Sequence, residues 1–185
     1  MEKADIKKAL SHFKTITLHR TIVCELCIRA GIPVNGLLHD LSKYSPTEFL
    51  VGAKYYQGTR SPNARERELF GYSSAWMHHK GRNRHHYEYW SDLNIATGQY
   101  EPVRMPVKYF IEMICDRIAA SKVYYGKDYT DSKSYEYFCK ERERSALHPD
   151  TRADLEYYLL MLCEHGEEYT LNRLRRAALL GKTRV

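Results

Sequence analysis

Apolar residues recur at spacings of three and four along most of this chain, which predicts helices and almost no sheet. From about residue 4 to residue 30, Ile6, Leu10, Phe13, Ile16, Val23 and Cys27 mark one long helix, stopped by Gly31 with Pro33 just beyond. Pro33 to Lys43 reads as a second, short and buried helix. Ser45-Pro46-Thr47-Glu48 carries a start signal for a third, with Ser as cap, Pro in the first turn and Glu three residues after the cap. Gly58 ends that helix, and Ser61-Pro62 repeats the signal for a fourth that runs to about Lys80.

Residues 91–105 hold Gly98, Pro102 and no steady period, which predicts a loop with room for a short hairpin. A strongly apolar helix follows from Pro106, through Val107, Phe110, Ile111, Ile114, Ile118 and Ala119. Further helices are expected over about 132–144, from Pro149 to Gly166 with the stripe Leu155, Tyr158, Leu159 and Leu162, and from there to Leu180. No internal repeat, low-complexity segment or domain boundary interrupts the pattern. The expectation is an all-α, single-domain helical bundle over 1–185, of about six to eight helices.

Composition agrees with a globular chain. At 185 residues it is long enough to bury a core of its own, with 43% apolar and 28% charged residues. No apolar run approaches the ~20 residues of a membrane span, and Met1 to Asp5 has no apolar leader character, so a cytoplasmic location without membrane contact is expected. The five cysteines are odd in number and scattered, which argues against a disulfide framework. Cys24-Glu25-Leu26-Cys27 has C-x-x-C spacing but no second pair, and reads as two small buried residues on one helix face. The net charge of +6 is spread along the chain without a basic track, which argues against a nucleic-acid polymer and suits a small phosphorylated partner. A homodimer is left open.

Against this background a few polar residues stand out. His39 and Asp40 are adjacent within Leu37-Leu38-His39-Asp40-Leu41-Ser42-Lys43, and in a helix neighbouring side chains point roughly 100° apart, so both reach inward only toward a group lying beside the helix. His19 falls level with apolar neighbours, two turns after His12. Four histidines crowd Trp76-Met77-His78-His79-Lys80-Gly81-Arg82-Asn83-Arg84-His85-His86. Buried imidazoles need partners, and such a density is what a transition metal wants. His79 shares a face with Tyr72 and Trp76 and is preferred to His78. The pattern does not separate His85 from His86, and His86 is taken. Asp116 sits on the apolar helix after Pro106, where a carboxylate calls for a metal or a core arginine such as Arg20 or Arg117.

In order along the chain these residues read His19, His39-Asp40, the two histidine pairs, Asp116. That order resembles the HD superfamily of helical metalloproteins, whose site is written H, HD, D and whose dinuclear members insert two further histidines before the last Asp. The resemblance covers about residues 12–125, with the C-terminal helices over 132–180 packing on that core. His39-Asp40-Leu41-Ser42-Lys43 resembles the HD-x-x-K form, and the chain looks most like a small bacterial and phage-type branch that shares this segment and the paired histidines.

The resemblance implies a first metal site of His19, His39, Asp40 and Asp116, with Asp40 bridging to a second held by His79 and His86. The metals would be one or two divalent ions among Mn, Fe, Co, Ni and Zn. Lys43 would bring a cation to a substrate phosphate, beside Asp40 in the catalytic centre, and Arg82 and Arg84 would be further phosphate contacts. The implied activity is a metal-dependent phosphohydrolase acting through an activated water on a small phosphorylated substrate such as a nucleotide. Two alternatives accompany it. The same order with HD-x-x-K serves mixed-valent di-iron oxygenases, and a non-catalytic helical protein with a structural metal is the third. The Gly-Tyr-Pro signature of cyclic-dinucleotide phosphodiesterases is replaced here by Tyr87-Glu88-Tyr89-Trp90, which counts against that specificity.

Overall fold

A computed structural model describes residues 6–184, so the first two positions of the expected first helix and the leader reading of Met1 to Asp5 lie outside the described residues. Eight α-helices and one two-stranded hairpin make up its regular structure, together with three short 3-10 turns. The fold is all-α, as the helical periodicity predicts. Its frame is α1 (Ile6–Arg29) packed along α6 (Val107–Tyr125), with α8 (Pro149–Leu180) packed on α6 and also touching α1. Val23, Leu26 and Cys27 of α1, Phe110, Ile111, Ile114 and Ile118 of α6, and Leu155, Tyr158, Leu159 and Leu162 of α8 are almost wholly buried and form one continuous core. Burying each large side chain of this set contributes about 1.5 to 3 kcal/mol.

Between α1 and α6 run the shorter elements that carry most of the polar residues of interest. These are α2 (Pro33–Leu38), a 3-10 turn at Leu41–Tyr44, α3 (Pro46–Lys54), α4 (Pro62–Phe70) and α5 (Ser74–Lys80). β1 (Ser91–Asn94) and β2 (Gln99–Pro102) pair antiparallel as a hairpin, with Asp92 opposite Glu101. α7 (Lys133–Glu141) then leads into α8, which breaks at Gly166 with φ 78° and ψ 175°, where the Gly166 stop was expected. No helix among the described residues is long and apolar enough to cross a membrane. All five cysteines are free thiols, with Cys27 fully buried and Cys24 half-buried on α1.

α3 ends at Lys54, short of the expected Gly58, and α7 at Glu141, short of 144; two further differences shape the site. The helix expected to lie buried over 33–43 ends at Leu38 and leaves Val34, Leu37 and Leu38 exposed: His39 is extended and Asp40 is left-handed, with φ 52° and ψ 26°. Asp40 is the one non-glycine residue with positive φ among the described residues. Aspartate tolerates this region better than most side chains, and such backbone strain gathers at functional positions. The helix expected over 61–80 is two helices, because Gly71 adopts a left-handed cap at φ 78° and Ser73 then caps α5 by accepting from the Trp76 amide.

Candidate metal centre

The break at His39 lets two consecutive residues do what a helix forbids: their side chains turn to the same side. Arg20 of α1 holds the break in place, donating from Nε to the His39 carbonyl at 2.6 Å and from Nη2 to the Leu37 carbonyl at 3.1 Å. A cation on the last carbonyls of α2 also suits the negative end of the helix dipole. Arg20 is thereby committed to the backbone, and Asp116 faces histidines instead of the core arginine that offered the alternative explanation for it.

Two four-residue ligand groups result that share Asp40, beside a smaller group of His39, His85 and Glu112. In the first, His19 Nε2 lies 2.9 Å from Asp116 Oδ1 and 3.9 Å from Asp40 Oδ2. His39 Nε2 lies 3.2 Å from Asp40 Oδ2 and 3.5 Å from Asp116 Oδ1. In the second, Asp40 Oδ1 lies 3.2 Å from His79 Nε2 and 3.4 Å from His85 Nε2, and His86 completes the set. Within each group of four the ligand atoms lie within 4.8 Å of one another. Ligands about 2.1 Å from a tetrahedral ion stand about 3.4 Å apart, so small side-chain movements are enough for both groups to close on an ion.

Nε2 of His19, His39, His79, His85 and His86 and both Asp40 oxygens are sealed from solvent and make no well-formed hydrogen bond. Asp40 Oδ2 has the Lys43 ammonium beside it and His19 Nε2 has Asp116 Oδ1, so these are partly compensated; the other sealed atoms would cost free energy in a metal-free core, and a metal satisfies the whole set together. These buried groups of histidine and carboxylate can hold a metal ion.

The opposite ring nitrogens are committed to two carboxylates that sequence reasoning missed. Glu112 Oε1 accepts from His39 Nδ1 at 3.0 Å and His85 Nδ1 at 3.1 Å, while its Oε2 accepts from Asn35 Nδ2 at 2.8 Å. Glu48 accepts from His79 Nδ1 at 2.7 Å and from His78 Nδ1 at 2.6 Å. A proton fixed at Nδ1 leaves the lone pair on Nε2, the arrangement that metal-ligating histidines require. Glu48 was expected to close a capping box on Ser45, but Ser45 makes no side-chain cap and the carboxylate turns to the histidines. The signal for Glu112 was present: it precedes Asp116 by one turn on the same apolar helix, so the reasoning applied to Asp116 covers it as well.

The electrostatics follow from this packing. Burial opposes ionisation of Asp40, but His39, Lys43 and His79 outweigh it and hold the carboxyl well below its usual range. Asp116 is likewise held low against burial by hydrogen bonds from His19 and His39. Burial, with His85 and His79 adding to it, keeps His86 neutral, and burial with Lys43 lowers His19. Without an ion, the Asp40, Asp116 and Glu112 carboxylates raise His39 well above its usual range against burial, so a metal at this site would take the place of the proton on Nε2.

Lys43 Nζ sits 2.5 Å from Asp40 Oδ2 at the mouth of the first group. Both groups open onto a cavity of about 780 Å³ whose wall includes Lys43, Tyr56, Arg67, Trp76, Arg117 and Tyr124. The expected phosphate contacts Arg82 and Arg84 do not reach that wall. Arg82 donates to the His78 carbonyl at 3.3 Å, and Arg84 to the Tyr109 hydroxyl at 3.2 Å while lying over the Tyr89 and Tyr109 rings. Arg67 and Arg117 are the guanidinium groups that face the cavity with no carboxylate within salt-bridge distance among the described residues. Of the expected metal ligands, His19, His39, Asp40, His79, His86 and Asp116 come together, and His85 joins them.

The chain belongs to a family of unknown function, DUF5662, whose model matches residues 8–161. That span runs from the middle of the first turn of α1 into α8 and contains every residue of both ligand groups. No curated protein and no solved structure matches the chain.

Proposed function

We propose that this protein is an HD-type, metal-dependent phosphohydrolase acting on a small phosphorylated molecule, with nucleotides among the candidates. One observation carries the reading. Asp40 presents one oxygen to each of two imidazole groups, in a pair of sites that open onto a cavity with a lysine ammonium at its edge. His19, His39, Asp40 and Asp116 would hold one ion, and Asp40, His79, His85 and His86 the other, the donor chemistry suiting Mn, Fe, Co, Ni or Zn. When bound, such ions supply Lewis acidity toward a phosphoryl oxygen and make water more acidic.

The chain's own residues do the rest. Glu112 and Glu48 keep protons on Nδ1 and fix four imidazole rings in orientation. Lys43 stays charged, since Asp40 and Asp116 outweigh its burial, and offers its ammonium to an anionic oxygen arriving at the mouth of the first group. Arg67 and Arg117 add positive charge along the wall, which the Trp76 and Tyr124 rings also line.

Purified protein loaded in turn with each metal is screened for phosphate release from monoesters and nucleotides. The reading predicts release that Asp40→Asn abolishes, because asparagine keeps the left-handed backbone while removing the shared charge. A second reading, the di-iron oxygenase, is favoured by the three imidazoles of His79, His85 and His86 grouped with Asp40, a set that suits iron equally well. Iron-dependent O₂ uptake without phosphate release selects it, and neither activity at full metal loading selects a non-catalytic metal protein.

A further inference from the structure

His12 is 6% exposed, and neither of its ring nitrogens has a hydrogen-bond partner among the described residues. Unlike the nitrogens of the two ligand groups, those of His12 are not sealed from solvent, and on the cavity side they are open to a hydrogen-bonding partner. His12 belongs to neither ligand group. It lies two turns before His19 on α1 and lines the same cavity.

The surroundings of His12 are built around it. Its ring lies 5.4 Å from that of Phe49 and 5.8 Å from that of Tyr56. A Cβ at Gly52 would stand 2.3 Å from Nε2, so only glycine leaves the imidazole this place. Beside it, Thr15 donates its hydroxyl proton to the Ser11 carbonyl at 3.0 Å, and Thr15 Oγ1 lies 2.8 Å from the Tyr56 hydroxyl. With the Thr15 proton spent, Tyr56 is the donor in that pair, and its oxygen keeps free lone pairs. A neutral His12 offers one N–H and one bare nitrogen. Burial and the Lys43 ammonium hold it neutral, bringing its pKa down to about 4.

We propose that His12 and the Thr15–Tyr56 pair form a second, uncharged subsite that binds a hydroxyl group on the body of the substrate. The Lys43 field disfavours a cation here, and the groups that face this corner are the neutral His12 ring and the Thr15–Tyr56 hydroxyls, a donor and an acceptor that a hydroxyl uses together. The proposal rests on the phosphohydrolase reading, which places a phosphate at Lys43, and it narrows the substrate to a hydroxylated phosphate ester of the polyol or sugar type.

The test measures binding by calorimetry to the manganese-loaded full chain, with ribose 5-phosphate, methyl phosphate and inorganic phosphate as probes. Wild-type protein is expected to bind ribose 5-phosphate about tenfold more tightly than methyl phosphate, the yield of one well-made hydrogen-bonding group. Tyr56→Phe and His12→Gln are expected to shrink that preference severalfold while inorganic phosphate affinity, metal content and melting temperature stay as in the wild type. Tyr56→Phe removes a single oxygen at the cavity wall, so it reports even where the histidine variant folds poorly. Equal affinity for the two esters, or a preference that survives in Tyr56→Phe, overturns the subsite alone. Absence of binding by all three probes overturns the phosphate reading and the subsite with it.

Discussion

Glu112→Gln is the perturbation that separates an orienting carboxylate from a merely buried one. The residue is 5% exposed and its carboxylate accepts from three donors, His39 Nδ1, His85 Nδ1 and Asn35 Nδ2. Burial disfavours its charge, but the His39 and His85 hydrogen bonds and the His85 and Asn35 contacts outweigh that and bring its pKa from 4.5 down to about 2. A lowering of that size corresponds to about 3 kcal/mol of stability. Because the folded value is the lower one, this contribution is present above pH 4.5 and is lost as the pH falls from there toward 2. In urea unfolding of metal-free protein at pH 7, Glu112→Gln should therefore lose up to about 3 kcal/mol, with the gap narrowing below pH 4.5. Two imidazoles also lose the acceptor that fixes their tautomer, so metal affinity measured by chelator competition should fall about 10- to 100-fold. A folded variant that binds metal as tightly as the wild type would refute the orienting role.

Further outcomes follow from the same geometry. Gly52→Ala brings a methyl group against His12 Nε2 and should lower stability by about 1 to 3 kcal/mol in thermal unfolding, with His12→Ala restoring part of the loss. His12 is held neutral with its pKa brought down to about 4, so the fold gains stability as pH rises from about 4 to 6.5. His12→Gln should flatten that dependence by at most about 1.4 kcal/mol per pH unit in denaturant titrations. Gly166→Ala forces a side chain into a region reserved for glycine and should cost about 1 to 3 kcal/mol in chemical denaturation.

How far the sequence led depended on whether a residue's signal was local. The helical frame was readable because the apolar stripes of α1, α6 and α8 persist over several turns. Asp116 was readable because a carboxylate inside Ile111 to Ile118 has few explanations. The end of α2 at Leu38 was not, since it is set by Arg20 reaching across from α1 to the Leu37 and His39 carbonyls, a contact no local pattern encodes. His85 and His86 were inseparable for a related reason. They follow a turn instead of sitting on a helix, so periodicity says nothing about where either points, and both reach the second ligand group. Glu48 looked like a cap residue because its position satisfied the rule, while its real partners lie thirty residues away on α5. Arg82 and Arg84 were chosen for nearness in sequence to the histidines, and that nearness does not survive folding, since both turn outward from the cavity.

The shared carboxylate makes the most direct claim in this account. Metal content per chain, measured on protein purified from metal-supplemented medium for the wild type, Asp40→Asn and His85→Ala, tests it. The account predicts about two ions in the wild type, about one in His85→Ala, whose loss falls on the second group alone, and almost none in Asp40→Asn, all three remaining helical. Wild-type protein with only trace transition metal, or an Asp40→Asn variant that retains both ions, would contradict it.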